Sequence, residues 1–115
     1  MSDLIERKCK ACEGGIAPLS EKEVQFYLKK LEGWKVNQQN TEIDCMFAFK
    51  NYYHTMAFVN AVAYMAHCEN HHPDLEVSYN RCRVRYTTHA ISGLSENDFI
   101  CAAKVDAIIA MKGGA

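Results

Sequence analysis

Residues 43–73 read IDCMFAFKNYYHTMAFVNAVAYMAHCENHHP, and within them the hydrophobic period changes from two to about 3.6. Ile43, Cys45, Phe47 and Phe49 alternate with Asp44, Met46, Ala48 and Lys50, the pattern of a strand with one buried face. From Tyr52 the apolar positions fall at Tyr52, Met56, Val59, Ala63 and Ala66, widened by Phe58, Val62 and Met65, which is one stripe of a helix. Pro73 closes the run, because proline disfavours helical backbone in the residue before it. His71 and His72 are therefore expected at the helix end or just beyond it.

Toward the N terminus, Ser20-Glu21-Lys22-Glu23 is a capping-box sequence, and Val24, Tyr27, Leu28 and Leu31 follow at helical spacing until Gly33, giving a first helix of about 11 residues. Trp34 and Val36 open a modest strand before the clearer one at Ile43. Beyond Pro73, Val77 and Tyr79 suggest a short strand, Asn80-Arg81 a tight turn, and Cys82 through Thr88 a longer strand. Gly93 allows a turn, Ser95 caps, and Ala102, Val105 and Ile109 recur at helical spacing toward the terminal glycines. The order αββαββα predicts an α+β fold, a four-stranded antiparallel sheet with three helices packed on one face. Residues 1–19, polar and punctuated by Gly14, Gly15 and Pro18, read as an extended arm, and 20–115 as a single domain.

The 115 residues are 49% hydrophobic and 23% charged, the balance of a chain that folds. A formal net charge of -1 gives no basic field for nucleic acid or an anionic membrane, and neither is expected as a partner. No run approaches the roughly 18 apolar residues of a membrane span, and MSDLIERKCK is too polar for a signal-peptide core, so a cytoplasmic location is expected. In that compartment Cys45, Cys68, Cys82 and Cys101 read as free thiols buried as small apolar side chains. Cys9-x-x-Cys12 is the one metal-like spacing, but no second close pair follows to complete a zinc site, and no metal is expected.

The chemistry concentrates in His67-x3-His71-His72-Pro73-x5-Tyr79-x9-His89-x8-Asp98, which sets four histidines, a tyrosine and a carboxylate around one helix end, one strand end and one helix start. Imidazole gives or takes a proton near neutral pH, so two histidines on different elements can act as acid and base on one bond. The plainer alternatives are that His71 and His72 favour a helix dipole and that Asp98 stabilises the start of the last helix. Arg81, Arg83 and Arg85 share the parity of His89 and read as a solvated strand face.

This motif resembles that of the pterin-4a-carbinolamine dehydratases, which in animals are also called dimerisation cofactors of a hepatocyte transcription factor. The resemblance runs from about Leu19 to Ala110 and takes in Trp34 after a glycine and the Phe47-x-Phe49 strand. Cys9-Lys10-Ala11-Cys12-Glu13-Gly14-Gly15 is similar to the arm of bacterial members, which animal members generally lack. His67 departs from the Glu that members often carry there.

The resemblance implies a hydro-lyase that converts 4a-hydroxytetrahydropterin to quinonoid dihydropterin and water, recycling the cofactor of an aromatic amino acid hydroxylase. It implies catalytic roles for His71, His72, His89 and Asp98, with His71 and His89 as acid and base, and substrate binding by His72 and Tyr79. It implies no metal or cofactor, and a homodimer or homotetramer. Two alternatives follow from the same resemblance: a protein-interaction or coactivator module, and an enzyme acting on a related pterin such as a molybdopterin-pathway compound.

Overall fold

The computed structural model describes residues 3–10 and 16–111. Helix α1 (Glu21–Leu28) is followed by strands β1 (Lys35–Val36) and β2 (Ile43–Ala48), helix α2 (Tyr52–Glu69), strands β3 (Asp74–Ser78) and β4 (Arg81–Tyr86), and helix α3 (Glu96–Met111). The sheet is antiparallel throughout in the order β1-β2-β4-β3, so the expected αββαββα, α+β architecture is the one observed. No helix among the described residues is long and apolar enough to cross a membrane.

The period-two pattern becomes two chemically distinct sheet faces. Ile43 and Cys45 on β2 and Cys82, Val84 and Tyr86 on β4 are buried in one core with Val62 of α2 and Phe99 and Val105 of α3. On the opposite face Arg83 Nε donates to Asp44 Oδ2 at 2.9 Å and Arg85 pairs with Glu76, so the arginine row is a surface laced by cross-strand ion pairs.

Each helix boundary has a local cause. Ser20 and Glu23 of α1 exchange both capping-box bonds, Glu23 N–H to Ser20 Oγ at 3.2 Å and Ser20 N–H to Glu23 Oε1 at 2.8 Å. The helix stops at Leu28, short of the expected Leu31, because Lys30 and Leu31 donate to the carbonyls three residues back and tighten the chain toward Gly33 at φ 80°. α2 ends before Pro73 acts: Asn70 turns left-handed at φ 52°, its N–H reaches His67 O, and His71 N–H reaches Ala66 O at 3.2 Å. This double bond is a Schellman stop, and it places His71 immediately beyond the helix.

Described residues before α1 pack against the rest of the domain. Asp3–Glu6 forms a short 3-10 turn against α3, with Leu4 fully buried in the core. Leu19 N–H donates to Leu94 O at 2.8 Å, and a Cβ on Gly93 would come within 2.6 Å of Pro18, so this close approach requires glycine. Cys12, Gly14 and Gly15 lie outside the described residues.

Candidate active site

The Schellman stop of α2, the end of β4 and the start of α3 meet at one cleft of about 590 Å³. His71 and His72 enter from the α2–β3 connection, and His89 from a 3-10 turn at His89–Ile91 that follows β4. Thr87 and Thr88 line the cleft between them, and Lys10, Cys9 and Asn97 form the wall contributed by the N-terminal segment and α3. His72 and His89 are exposed, whereas His71 is nearly enclosed.

Asp98 organises the interior of this site. Its carboxylate is fully buried and accepts from His71 Nε2 at 2.7 Å, from Thr88 Oγ1 at 2.7 Å and from the Ser95 N–H at 2.9 Å. A buried anion is tolerable only with such partners. The contact with Ser95 is the cap expected at the start of α3, so the structural and the site role coexist in one side chain. The Ser95 hydroxyl pairs with Thr88 Oγ1 at 2.8 Å and completes the ring of donors.

The bond to Asp98 orients the His71 ring: with Nε2 facing the carboxylate, Nδ1 is the other nitrogen of the ring. Tyr86 holds it from one face, the rings nearly parallel at 5° with centroids 5.6 Å apart. Burial opposes a charge on His71, but the Asp98 hydrogen bond and charge, joined by the Cys101 sulfur, outweigh it and raise the imidazole above its ordinary range. The result is an imidazole of strengthened basicity beside an open cleft.

Nearby, Glu69 closes α2 as a second buried carboxylate. It accepts from Lys104 Nζ and from the Cys9 N–H, both at 2.9 Å. Burial alone would raise its carboxyl, yet those two donors hold it below the usual carboxylate range.

His71, His72, His89 and Asp98 are thus brought together, and Tyr79 is not. Tyr79 sits on the β3–β4 turn, 64% exposed and stacked on Tyr52 at 6.3 Å, and is absent from the cleft lining. The whole of β3 lies between it and His72. The aromatic residue in contact with the site is Tyr86, which the strand pattern marks only as core. Thr88, Glu69 and Asn97 were not singled out by the sequence at all; the one signal for Thr88 was a hydroxyl where a strand ends.

The cysteine expectation holds for Cys45, Cys82 and Cys101, which are free and buried, and fails for Cys68, which is exposed near the end of α2.

Comparison with known proteins finds relatives over most of the chain. The family model described as pterin 4 alpha carbinolamine dehydratase matches residues 17–108. A Nitrosomonas eutropha protein provisionally named pterin-4-alpha-carbinolamine dehydratase is 62% identical over 108 residues, covering 93% of this chain and 94% of that one. A similarly named Legionella pneumophila protein is 52% identical over 109 residues, with 94% and 96% covered. Among solved structures, a transcriptional coactivator/pterin dehydratase from Brucella melitensis superposes with a TM-score of 0.76 at 33% identity, covering 79% of this chain and 97% of that one. A pterin dehydratase-like RuBisCO assembly factor of the alpha-carboxysome shares the fold at a TM-score of 0.59 and 23% identity, with 67% and 89% covered.

Proposed function

Because the chain belongs to the pterin-4a-carbinolamine dehydratase family, we propose that it dehydrates a 4a-hydroxytetrahydropterin to the quinonoid dihydropterin. The observation that carries this reading is the shared cleft: an oriented His71 backed by buried Asp98, with two further imidazoles, His72 and His89, lining the same 590 Å³ space.

The reaction needs one proton delivered and one removed. The C4a hydroxyl leaves as water once protonated, and N5 loses its proton as the C=N bond forms, so the chemistry calls for an acid and a base on either side of the substrate. His71 and His89 are the proposed pair, with Asp98 and Thr88 fixing the tautomer and ring of His71. His72 is proposed to bind the pterin. Proton transfer of this kind calls on no metal or cofactor.

The deciding measurement is stopped-flow decay of 4a-hydroxytetrahydropterin with the purified chain, read above the uncatalysed background. Decay no faster than that background would overturn the reading. Recycling of the cofactor of an aromatic amino acid hydroxylase, in the cytoplasm, is the physiological role proposed with it.

A protein-binding role is the second reading, favoured by an apolar groove of about 290 Å³ between α2 and α3, lined by Phe49, Ala57, Phe58, Ala61, Ile108 and Ile109. We propose self-association into a homodimer or homotetramer on this surface. Light scattering of the full chain tests it, and a monomer at all concentrations would refute it.

A further inference from the structure

The Cys9-x-x-Cys12 spacing has no part in the reaction proposed above, and the structure gives Cys9 a different neighbour. Its Sγ lies 3.4 Å from Cys101 Sγ. Cys9 is half-buried and lines the cleft, while Cys101 is fully buried beneath it, one turn of α3 beyond Asp98.

Both cysteines are held at this distance by their surroundings. The Cys9 N–H donates to Glu69 Oε1 at 2.9 Å. The Lys10 N–H donates to Asn97 Oδ1 at 3.0 Å, and Asn97 Nδ2 donates back to Lys10 O at 2.6 Å. Asn97 and Cys101 are four residues apart on one helix face, so the side chain that grips Lys10 also aligns the helix carrying Cys101. A disulfide has an S–S length of about 2 Å, so only a short approach separates the thiols from bonding.

We propose that Cys9 and Cys101 are an oxidisable dithiol, a modification site that hydrogen peroxide or another small peroxide converts to a reversible disulfide, clamping the N-terminal segment to α3 beneath His71. The Cys9 S–H, aided by the nearby His71, outweighs burial and holds Cys101 below its ordinary range, while the Cys101 sulfur drives Cys9 far above its own. Cys101 is thus the sulfur of the pair that gives up its proton more readily, and thiolate is the form in which a cysteine is oxidised.

Starting from two thiols, Cys101 gives up one proton, the Cys9 proton passes across to the Cys101 sulfur, and the cleft-facing Cys9 sulfur attacks one peroxide oxygen. The O–O bond breaks, the other oxygen leaves as hydroxide and takes up the proton first given up, forming water, and Cys9 becomes a sulfenic acid. Cys101 sulfur then attacks Cys9 sulfur, the S–O bond breaks, and the oxygen departs with the remaining thiol proton as a second water. Two thiols and one peroxide give one disulfide and two waters; the sulfurs lose two electrons and the peroxide gains them. A dithiol reductant restores both thiols.

The test is peroxide treatment of the full chain, alkylation of the remaining thiols, and non-reducing tryptic mass spectrometry. The expected product is the dipeptide Cys9-Lys10 joined to the peptide Tyr86–Lys104, in most molecules, with an intact mass lower by two hydrogens and full reversal by dithiothreitol. Cys12→Ser should form the same product in the same yield. Linkage of Tyr86–Lys104 to the Cys12 peptide Ala11–Lys22 instead, or loss of the product in Cys12→Ser, would overturn the proposal. So would the absence of any Cys9–Cys101 link at peroxide doses that oxidise the exposed, unpaired thiol of Cys68.

Discussion

The two ends of the β3–β4 hairpin carry similar residue types and hold them in opposite ways. At the end formed by His71, His72 and His89, a fully buried carboxylate collects three donors and fixes one imidazole against Tyr86. At the turn, Tyr79 stacks on Tyr52 with both residues more than half exposed, and the bonds that tie the turn to the interior reach backbone oxygens: Thr55 Oγ1 donates to Tyr79 O at 2.9 Å and Phe49 N–H to Asn80 O at 2.8 Å. The first arrangement is over-determined, so removing a side chain leaves buried groups unpaired. The second leaves nothing unpaired when the side chain goes.

The largest effect that tests this contrast comes from the imidazoles. His71→Ala and His89→Ala should each lower kcat/KM by about 10²–10⁴, the range of general acid–base catalysis, and the double variant should lose less than the product, since paired groups act as a unit. Stopped-flow rates on variants shown folded by circular dichroism measure this. Near wild-type rates in both would erase the distinction between the two ends.

A somewhat smaller loss, roughly 10–10² in rate, is expected from Asp98→Asn, the scale on which partners that orient a functional histidine act. The amide keeps the shape but turns a donor toward His71 Nε2, which favours the other tautomer. It also removes the main cause of the raised His71 pKa. A histidine whose folded pKa lies above its unfolded value adds stability that is full below about pH 6.5 and is lost as pH rises through the folded value. Wild-type thermal stability should show that decline, and Asp98→Asn should not. An unchanged His71 titration by NMR in the variant would remove Asp98 from this role.

How much of this end was legible depended on residue type. Histidines and aspartate announce themselves in a sequence, and the switch from period two to period 3.6 between Phe49 and Tyr52 located the helix that His71 and His72 follow. Thr88 did not stand out, because a β-branched residue at a strand end already has a sufficient explanation in strand propensity. Tyr86 is legible as core and is core; its second use, against His71, exists only in three dimensions. The true stop of α2 was hidden because a left-handed Asn70 leaves a weaker mark than the nearby proline. The pairing of Cys9 with Cys101 spans 92 residues, a separation that no local pattern reports.

A modest effect is expected from His72→Ala. His72 is exposed on the cleft rim and has no role in the Asp98 ring of bonds, so a contact made equally with substrate and transition state should raise KM several-fold, on the order of 1 kcal/mol, with kcat kept. A fall in kcat with KM unchanged would move His72 from binding to proton transfer.

The smallest effect sharpens the comparison most. Tyr79→Ala should leave kcat/KM within about two-fold and change stability by less than about 1 kcal/mol, since an exposed aromatic pair contributes little beyond its contact area. The residue stands 64% exposed at the far end of β3, and the Thr55 bond to its backbone oxygen survives the substitution. Tyr86→Ala is the matched control, because that ring is fully buried and packs on His71 and near Trp34. Its loss should cost about 3–5 kcal/mol by leaving a cavity under the site. Chemical denaturation and Michaelis–Menten kinetics on the two variants decide the matter. A ten-fold rise in KM for folded Tyr79→Ala would mean that the pterin reaches well past the histidine end of the hairpin, or that the turn completes a site in a neighbouring chain, and the two ends would then have to be read as parts of one binding surface.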